Sequence, residues 1–355
     1  MTALPASVNR TSMTHTHDLP LLAVSELRVT FPADGGTARA VDGVTFTVSA
    51  GETVCVVGES GCGKSMTALS LLRLIPAPGR IESTSRIQFD GANILALADE
   101  PLRAIRGRRM SMIFQEPMTA LYPVLTVGDQ IAEVVRVHTS ASRSEAWARA
   151  VAMLTEVGIA DPAARAKQYP HELSGGMRQR VMIAMALVLE PRLVIADEPT
   201  TALDVTIQAQ ILDLLRAQRE RTGLALLLIT HDLGVVAEMA SRVLVMYAGQ
   251  IVEEAPVLAL FATPTHPYSE GLIAAVPRLD HIGGALQTIP GSVPPSTAWP
   301  TGCRFRERCV HAFDRCATDA PVLTQIGAAH RVRCHLVEEP QRRKLTPLHA
   351  SSESV

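Results

Sequence analysis

Gly58-Glu59-Ser60-Gly61-Cys62-Gly63-Lys64-Ser65 matches the pattern of a phosphate-binding loop, G-x-x-x-x-G-K-[ST]. The β-branched run at residues 53–57 before it is typical of a buried strand, and residues 65–72 after it are typical of a helix. The glycines let the backbone turn sharply and point successive N–H groups at anionic oxygens. The helix start adds partial positive charge. We therefore expect the loop to bind the phosphates of a nucleotide.

Each part of this loop has an expected role in binding Mg·ATP. The whole stretch, extended to Met66, would surround the phosphates. Lys64 would reach the outer phosphates, and the hydroxyl of Ser65 would bind Mg²⁺.

Composition limits the protein class. The 355 residues suit one large domain plus a smaller one, or two modest domains, and 47% are hydrophobic, which is enough for a sizeable core. The formal charge of −2 argues against a general nucleic-acid binder. No apolar run approaches the 18 residues or more of a membrane span, and the N-terminus lacks the apolar core of a signal peptide. We expect a cytosolic protein with a disordered lead at residues 1–20.

The periodicity of the chain predicts an α/β fold. Apolar or alternating runs that are typical of strands occur at residues 22–31, 44–48, 53–57, 86–89, 110–114, 193–196 and 224–229. Between residues 126 and 189 the pattern is helical, with a capping box at Ser142 and Glu145, and residues 206–219 form a further helix. Continuous apolar strands separated by helices predict a parallel sheet covered on both faces.

Two acids end one of these strands. Asp197 and Glu198 follow the apolar run at residues 193–196, at the edge of the sheet where α/β proteins bind ligands. Asp197 would hold Mg²⁺ and Glu198 would polarise the attacking water as a general base. Two acids at a strand end are weakly specific alone, because they are also typical of a solvated edge, but the phosphate loop makes the combination specific.

Ser174, Gly175 and Gly176 stand at the start of a second predicted helix, after Leu173. A small hydroxyl residue and two glycines at a helix N-terminus can bind an anion. A helix cap is the alternative interpretation, and an isolated Ser-Gly-Gly would favour it.

Together these motifs resemble the ATP-binding cassette family. Leu173-Ser174-Gly175-Gly176-Met177 is similar to the family signature Leu-Ser-Gly-Gly-Gln, with Met177 as the departure. The resemblance implies further roles. Gln115 would contact Mg²⁺ and water, and His231 would steady the γ-phosphate. Ala202-Leu203-Asp204 matches the family loop that communicates between the two nucleotide sites, so Asp204 would belong to that loop. Phe31 falls where family members stack an aromatic ring on adenine, although a core position is the alternative.

The resemblance also explains the second anion site. Family members form head-to-tail dimers in which the signature of one subunit closes over ATP held by the phosphate loop of the other. Ser174, Gly175 and Gly176 would then act on the nucleotide of a partner, and Met177 would matter little because backbone N–H groups and Ser174 make the contacts.

Four cysteines lie near the C-terminus as Cys303-x5-Cys309-x6-Cys316-x17-Cys334. The spacing fits neither zinc fingers nor ferredoxins. Four thiols in a cytosolic chain still favour a soft-metal site, with buried unpaired cysteines as the alternative. Thr265-His266-Pro267-Tyr268, the run at residues 289–295 and these cysteines resemble the C-terminal extension of dipeptide/oligopeptide permease ATPase subunits. Some members carry a [4Fe–4S] cluster there, which implies such a cluster on the four cysteines here; zinc is the second choice.

The resulting hypothesis is an ATPase subunit of a di- or oligopeptide importer, at the cytoplasmic face of the membrane. We expect a nucleotide-binding domain at residues 21–262 with a helical subdomain at about 116–190, an extension at 263–340 and a tail at 341–355. The resemblance implies a second ATPase subunit, a paralogue rather than a second copy, two membrane permeases contacted by residues 115–130, and an extracytoplasmic solute-binding protein. Nickel or another solute is an alternative cargo. A soluble cassette ATPase acting on nucleic acid or ribosomes is the rival, disfavoured by the single cassette, the short interval between Gln115 and Leu173, and the near-neutral charge.

Overall fold

The computed structural model describes residues 19–34, 36–201, 204–276 and 288–344. The predicted disordered lead therefore lies outside the described residues, apart from Leu19 and Pro20, and so does the predicted tail from residue 345 onward. No helix in the described ranges is long and apolar enough to cross a membrane.

Strands make up both sheets of the described chain. They are β1 (Leu22–Ala33), β2 (Gly36–Val48), β3 (Thr53–Val57), β4 (Arg80–Ile81), β5 (Arg86–Phe89), β6 (Ala92–Asn93), β7 (Met110–Ile113), β8 (Leu193–Asp197), β9 (Ala225–Ile229), β10 (Arg242–Tyr247), β11 (Gln250–Pro256), β12 (Thr324–Gly327) and β13 (His330–Val332).

Helices cover the sheets and fill the interval between β7 and β8. They are α1 (Lys64–Leu71), α2 (Asp99–Ile105), α3 (Pro117–Ala120), α4 (Val127–His138), α5 (Arg143–Glu156), α6 (Pro162–Arg165), α7 (Gly175–Leu187), α8 (Val205–Thr222), α9 (Leu233–Met239), α10 (Val257–Ala262), α11 (Pro267–Ala274) and α12 (Arg315–Thr318).

The central sheet has the strand order β12-β13-β11-β10-β3-β9-β8-β7. The five strands from β10 to β7 are parallel, and every residue of β3, β7, β8 and β9 is buried. This confirms the predicted parallel sheet with two covered faces. β11, β13 and β12 extend it in antiparallel fashion, a feature that the sequence patterns had not indicated.

A second, antiparallel sheet packs on one side of the central sheet. Its order is β2-β1-β5-β6, with β4 paired to β1. Because side chains alternate along a strand, β3 contributes to two cores. Val54 and Val56 join α1 and the antiparallel sheet, whereas Cys55 and Val57 join the core that includes the helices between β7 and β8. The loop after β3 is therefore anchored from both faces.

The predicted helical interval is helical as expected. α5 begins with the predicted capping box: the Ser142 hydroxyl accepts from the N–H of Glu145, and the Glu145 carboxylate accepts from the N–H of Ser142. Trp147 packs on Gly128 of α4 so closely that a Cβ there would lie 2.7 Å from its ring. Trp147 is thus a packing residue between helices.

The C-terminal segment, described at residues 263–276 and 288–344, is built onto the central sheet. β13 pairs with β11 through Glu253 opposite Val332. The Glu253 carboxylate is completely buried, and it accepts from the N–H groups of Thr265 and His266 at 2.8 and 2.9 Å and contacts His330 Nε2 at 2.9 Å. Burial of a carboxylate is tolerated when it is hydrogen-bonded in this way. The segment therefore shares the sheet that carries the phosphate loop.

Candidate functional site

The phosphate loop joins β3 to α1, as its sequence predicted. Gly58 has φ +153° and Gly63 has φ +108°, backbone angles that other residues rarely adopt. A Cβ on Gly58 would lie 2.2 Å from the carbonyl oxygen of Met246, and one on Gly63 would lie 2.4 Å from that of Ala40. Only glycine fits at both positions, because neighbouring backbone crosses the loop there.

Lys64 stands at the first position of α1. Its side chain is almost fully buried, and Nζ donates to the carbonyl oxygens of Gly58 at 2.7 Å and Glu59 at 3.0 Å. Ser60 and Gly61 are exposed at the tip of the loop, while the Cys62 side chain is buried in the core. Burial raises the pKa of the Cys62 thiol, so this cysteine is a packing residue.

Asp197 ends β8 beside the loop and is buried. Its Oδ1 has no hydrogen-bond partner within the described part of the chain. Burial raises the pKa of Asp197, an effect that a hydrogen bond from the Ser65 hydroxyl partly offsets. A buried, unpaired carboxylate oxygen next to a hydroxyl suits a hard cation, so Ser65 and Asp197 fit Mg²⁺.

Glu198 follows Asp197, and its side chain contacts the other two predicted catalytic residues, Gln115 and His231. Glu198 Oε2 accepts from Gln115 Nε2 at 3.1 Å, and Glu198 Oε1 lies 3.3 Å from His231 Nδ1. Thr201 Oγ1 also donates to Glu198 Oε2, at 2.9 Å. The contact with Thr201 was not anticipated from the sequence. Gln115 follows β7, Glu198 follows β8 and His231 follows β9, so the carboxyl ends of three parallel strands bring them together.

The backbone of Glu198 is held in an uncommon conformation. Its φ is +47°, in the left-handed region, and its N–H donates to the carbonyl oxygen of Ile229 at 2.9 Å. Such strain at a non-glycine residue is maintained only when surrounding contacts fix it, and it occurs often at functional sites. The turn directs the carboxylate toward Gln115 and His231.

The signature residues lie at the N-terminus of α7. Ser174 caps this 13-residue helix, with its Oγ accepting from the N–H of Met177 at 3.3 Å, and both Ser174 and Gly175 are exposed. Gln179 on the same helix donates to the carbonyl oxygen of Pro199 at 2.6 Å and so ties α7 to the segment after Glu198. Ser174 is thus a helix cap, and its outward position also leaves it open to a second molecule.

Two remaining predicted residues have structural positions of their own. Asp204 caps α8 by accepting from the N–H of Ile207 at 2.9 Å, while Ala202 and Leu203 lie outside the described residues. Phe31 is half-buried on β1, and its ring lies directly over Gly79, where a Cβ would come within 2.4 Å. The packing of Phe31 therefore agrees with the alternative of a core position, and the stacking of its ring on adenine stays a prediction.

The four C-terminal cysteines line one small cavity of about 10 Å³, which is room for a single water-sized sphere. Burial raises the pKa of Cys309 to about 11 and of Cys334 to about 12, so both are neutral thiols at pH 7. Within the described ranges, no group of three or more His, Cys, Asp or Glu side chains is arranged to hold a metal ion. The structure therefore does not support the predicted [4Fe–4S] cluster or its zinc alternative, and it agrees with packed, unpaired cysteines.

Two residues far along the chain contact the phosphate loop, and the sequence patterns did not identify them as site residues. The Tyr268 hydroxyl accepts from the N–H of Glu59 at 2.9 Å, and Arg308 Nη1 donates to the Glu59 carboxylate at 2.9 Å. They are 209 and 249 residues from Glu59, so no local pattern could have revealed the contacts.

Comparisons with known proteins agree with these motifs. Residues 41–201 match the family model of the ABC transporter, and residues 252–316 match that of the oligopeptide/dipeptide transporter C-terminal region. The second match covers Tyr268, Arg308 and three of the four cysteines at the C-terminus.

Relatives match along nearly their whole length. The chain is 53% identical to the "Probable peptide ABC transporter ATP-binding protein y4tR" of Sinorhizobium fredii, over 88% of this chain and 94% of the relative. It is 49% identical to the dipeptide transport ATP-binding protein DppD of Bacillus subtilis, over 90% and 95%. A solved dimeric ATP-binding cassette in a post-hydrolysis state, bound to ADP and phosphate, superposes with a TM-score of 0.61 at 26% identity, over 66% of this chain and 98% of that one.

Proposed function

Because the chain belongs to the ABC transporter family and carries the oligopeptide/dipeptide transporter C-terminal region, we propose that it energises an importer of di- or oligopeptides by hydrolysing ATP. The observation that carries the hydrolytic part is the convergence of Gln115, Glu198 and His231 beside the phosphate loop. The cargo rests on the relatives, because this chain has no part in recognising the solute in such a machine.

In the proposed mechanism the residues act on ATP in fixed positions. The phosphate loop and the start of α1 would bind the phosphates, Lys64 would leave its loop carbonyls for the outer phosphates, and Ser65, Asp197 and Gln115 would hold Mg²⁺. Mg²⁺ offsets the charge that develops on the phosphates. Glu198 would accept a proton from the attacking water, and His231, whose Nδ1 lies 3.3 Å from Glu198 Oε1, would contact the γ-phosphate.

Ser174, Gly175 and Gly176 serve a partner's nucleotide in this proposal. The exposure of Ser174 and Gly175 at the N-terminus of a 13-residue helix supports this, and so does the dimeric state of the solved cassette to which the chain is similar. ATP would hold the two subunits together, and hydrolysis would release them, which gives the two-state element that transport requires. We expect the partner to be a paralogue.

A surface for the permeases lies after Gln115. Met118, Tyr122, Val124 and Leu125 are exposed apolar side chains, which soluble surfaces rarely collect in one segment. Gln130 is buried and holds this loop by bonding the backbone of Tyr122 and Leu125 at 2.8 to 3.1 Å. Within the predicted contact at residues 115–130, we therefore assign the contact itself to the exposed residues and a supporting role to Gln130. This docking places the protein at the cytoplasmic face of the membrane.

Reconstitution tests the function. The chain is assembled with its two permeases, the second ATPase subunit and the solute-binding protein in vesicles, and ATP-dependent uptake is measured for labelled dipeptides, longer peptides and Ni²⁺. Uptake of peptides that stops with Lys64→Ala supports the proposal. Uptake of Ni²⁺ alone would reassign the cargo, and ATP hydrolysis that is stimulated by nucleic acid or ribosomes rather than by permeases would favour the soluble rival.

A metal on Cys303, Cys309, Cys316 and Cys334 remains a separate prediction, outside this mechanism. Its support is that the four thiols line one cavity. Iron, sulfide and zinc are measured after anaerobic purification. Stoichiometric iron and sulfide would favour the cluster, stoichiometric zinc would favour the alternative, and a colourless protein with neither would contradict both.

A further inference from the structure

Glu59, the second residue of the phosphate loop, is bound at two points by the C-terminal segment. Its N–H donates to the Tyr268 hydroxyl at 2.9 Å, and its Oε2 accepts from Arg308 Nη1 at 2.9 Å. Its carbonyl oxygen in turn accepts from Lys64 Nζ at 3.0 Å. One residue thus connects the lysine of the loop to the C-terminal segment.

Arg308 is oriented by its surroundings rather than by Glu59 alone. Its side chain is only 6% exposed, and Nε donates to the carbonyl oxygen of Pro290 at 2.7 Å. The guanidinium lies 5.7 Å from the ring centre of Tyr247 and 5.9 Å from that of Phe305. A guanidinium held in this way has lost its freedom before it meets the carboxylate, so the ion pair is stronger than an exposed one.

Tyr268 is also fixed. It is fully buried, and its ring centre lies 4.7 Å from that of Tyr247 and 5.4 Å from that of Phe305. Tyr247 ends β10, the direct neighbour of β3 in the sheet. The aromatic cluster of Tyr247, Tyr268 and Phe305 therefore joins the C-terminal segment rigidly to the strand pair beside the loop.

The charge of Glu59 makes this arrangement matter for ATP. A carboxylate within the loop that receives a polyanion repels the ligand and competes for the nearby Lys64 ammonium. The Arg308 guanidinium pairs with that carboxylate and so neutralises it, while Lys64 Nζ contacts the carbonyl oxygens of Gly58 and Glu59. We propose that Arg308 and Tyr268 are positioning residues for ATP binding, through which the C-terminal segment sets the charge and shape of the phosphate loop. This rests on the proposed ATPase function.

The first test is the kinetics of Arg308→Gln. Since Arg308→Gln leaves the Glu59 carboxylate without its neutralising cation beside the phosphates, we expect KM for ATP and the Kd for a non-hydrolysable ATP analogue to rise about tenfold or more. We expect kcat at saturating ATP to stay within about twofold of the wild-type value, because the variant loses binding energy that is the same in the ground state and the transition state. Arg308→Lys keeps the positive charge, so its KM for ATP should lie between those of the wild type and Arg308→Gln. The matched control is Arg315→Gln, at a half-buried arginine of the same segment that pairs with Glu338 and Glu339.

The second test separates charge from packing. In Glu59→Gln/Arg308→Gln the unpaired carboxylate is gone, so we expect KM to return to within about threefold of the wild type, as non-additive coupling of a contacting pair requires. A merely structural role for Arg308 would leave the double variant as impaired as the single one, and that result would overturn the proposal. So would an Arg308→Gln variant with the KM of Arg315→Gln.

Folding and function are kept apart by two further measurements. Thermal melting reports whether each variant folds; should Arg308→Gln fail to fold, Tyr268→Phe carries the test, because it removes one hydroxyl and keeps the ring. We expect its KM to rise about threefold or more from the loss of one buried hydrogen bond, and an unchanged KM would refute the inference. Normal hydrolysis in the wild type and none in Lys64→Ala shows that the ATPase function stands even if these variants behave like wild type.

Discussion

Replacing Glu198 with glutamine should stop hydrolysis and preserve ATP binding. The change removes a charge and keeps the shape of the side chain. Its oxygen can still accept from Gln115 and Thr201, which contact Glu198 Oε2 at 3.1 and 2.9 Å, while the new NH₂ faces His231 Nδ1 at 3.3 Å. Every contact of the carboxylate thus has a counterpart in the amide, so the local structure should be retained.

The expected loss is that of a general base. Such groups contribute about 10²–10⁴ in rate, or about 2.7–5.4 kcal/mol in the activation free energy. Because the amide cannot accept the proton of the attacking water, the whole of this loss should fall on kcat. The Kd for Mg·ATP should change by less than about threefold, since removing a carboxylate near the phosphates reduces repulsion rather than attraction.

The assay is phosphate release at saturating Mg·ATP, first from the purified chain and then from the assembled importer, with nucleotide affinity measured separately. Glu220→Gln, an exposed glutamate on α8, is the matched control. If Glu198→Gln turns over within threefold of that control in the assembled importer, Glu198 is not the base. A large loss of ATP affinity would refute the geometric argument that the amide replaces the carboxylate.

Three further predictions follow from single residues. Asp197→Asn should abolish Mg²⁺-dependent hydrolysis and raise the melting temperature at neutral pH, because burial raises the pKa of Asp197 and its charge therefore costs stability above that raised pKa. The difference in melting temperature from wild type should vanish on acidification, as the wild-type carboxyl becomes protonated. An unchanged melting temperature at neutral pH would contradict this prediction. Gly63→Ala should lower the free energy of unfolding by about 1–3 kcal/mol and weaken ATP binding, because its Cβ would meet the Ala40 carbonyl oxygen at 2.4 Å. Chemical denaturation measures the change in the free energy of unfolding. Ser142→Ala should cost about 1 kcal/mol of stability through the lost helix cap and leave kcat unchanged, so a change in ATPase activity would mean that α5 does more than pack.

Local sequence accounted for the elements that carry the site. The predicted strands at residues 53–57 and 86–89 have the same bounds as β3 and β5, and the capping box at Ser142 is present. These features depend on alternation, capping and glycine spacing within a few residues, and such patterns are visible in one dimension. The strands β10 and β11 and the antiparallel extension by β12 and β13 were not anticipated. Pairing with distant strands, rather than local pattern, decides where such short segments lie.

The sequence by itself determined that a phosphate loop, an acidic strand end and a signature-like helix start occur in one chain, because each motif is contiguous and its chemistry follows from neighbouring residues. Only the tertiary structure decided that Arg308 and Tyr268 contact Glu59, and that the four C-terminal cysteines line one small cavity. The physical reason is distance along the chain. Contacts between residues more than 200 positions apart depend on how sheets and loops pack, which the order of the residues does not reveal.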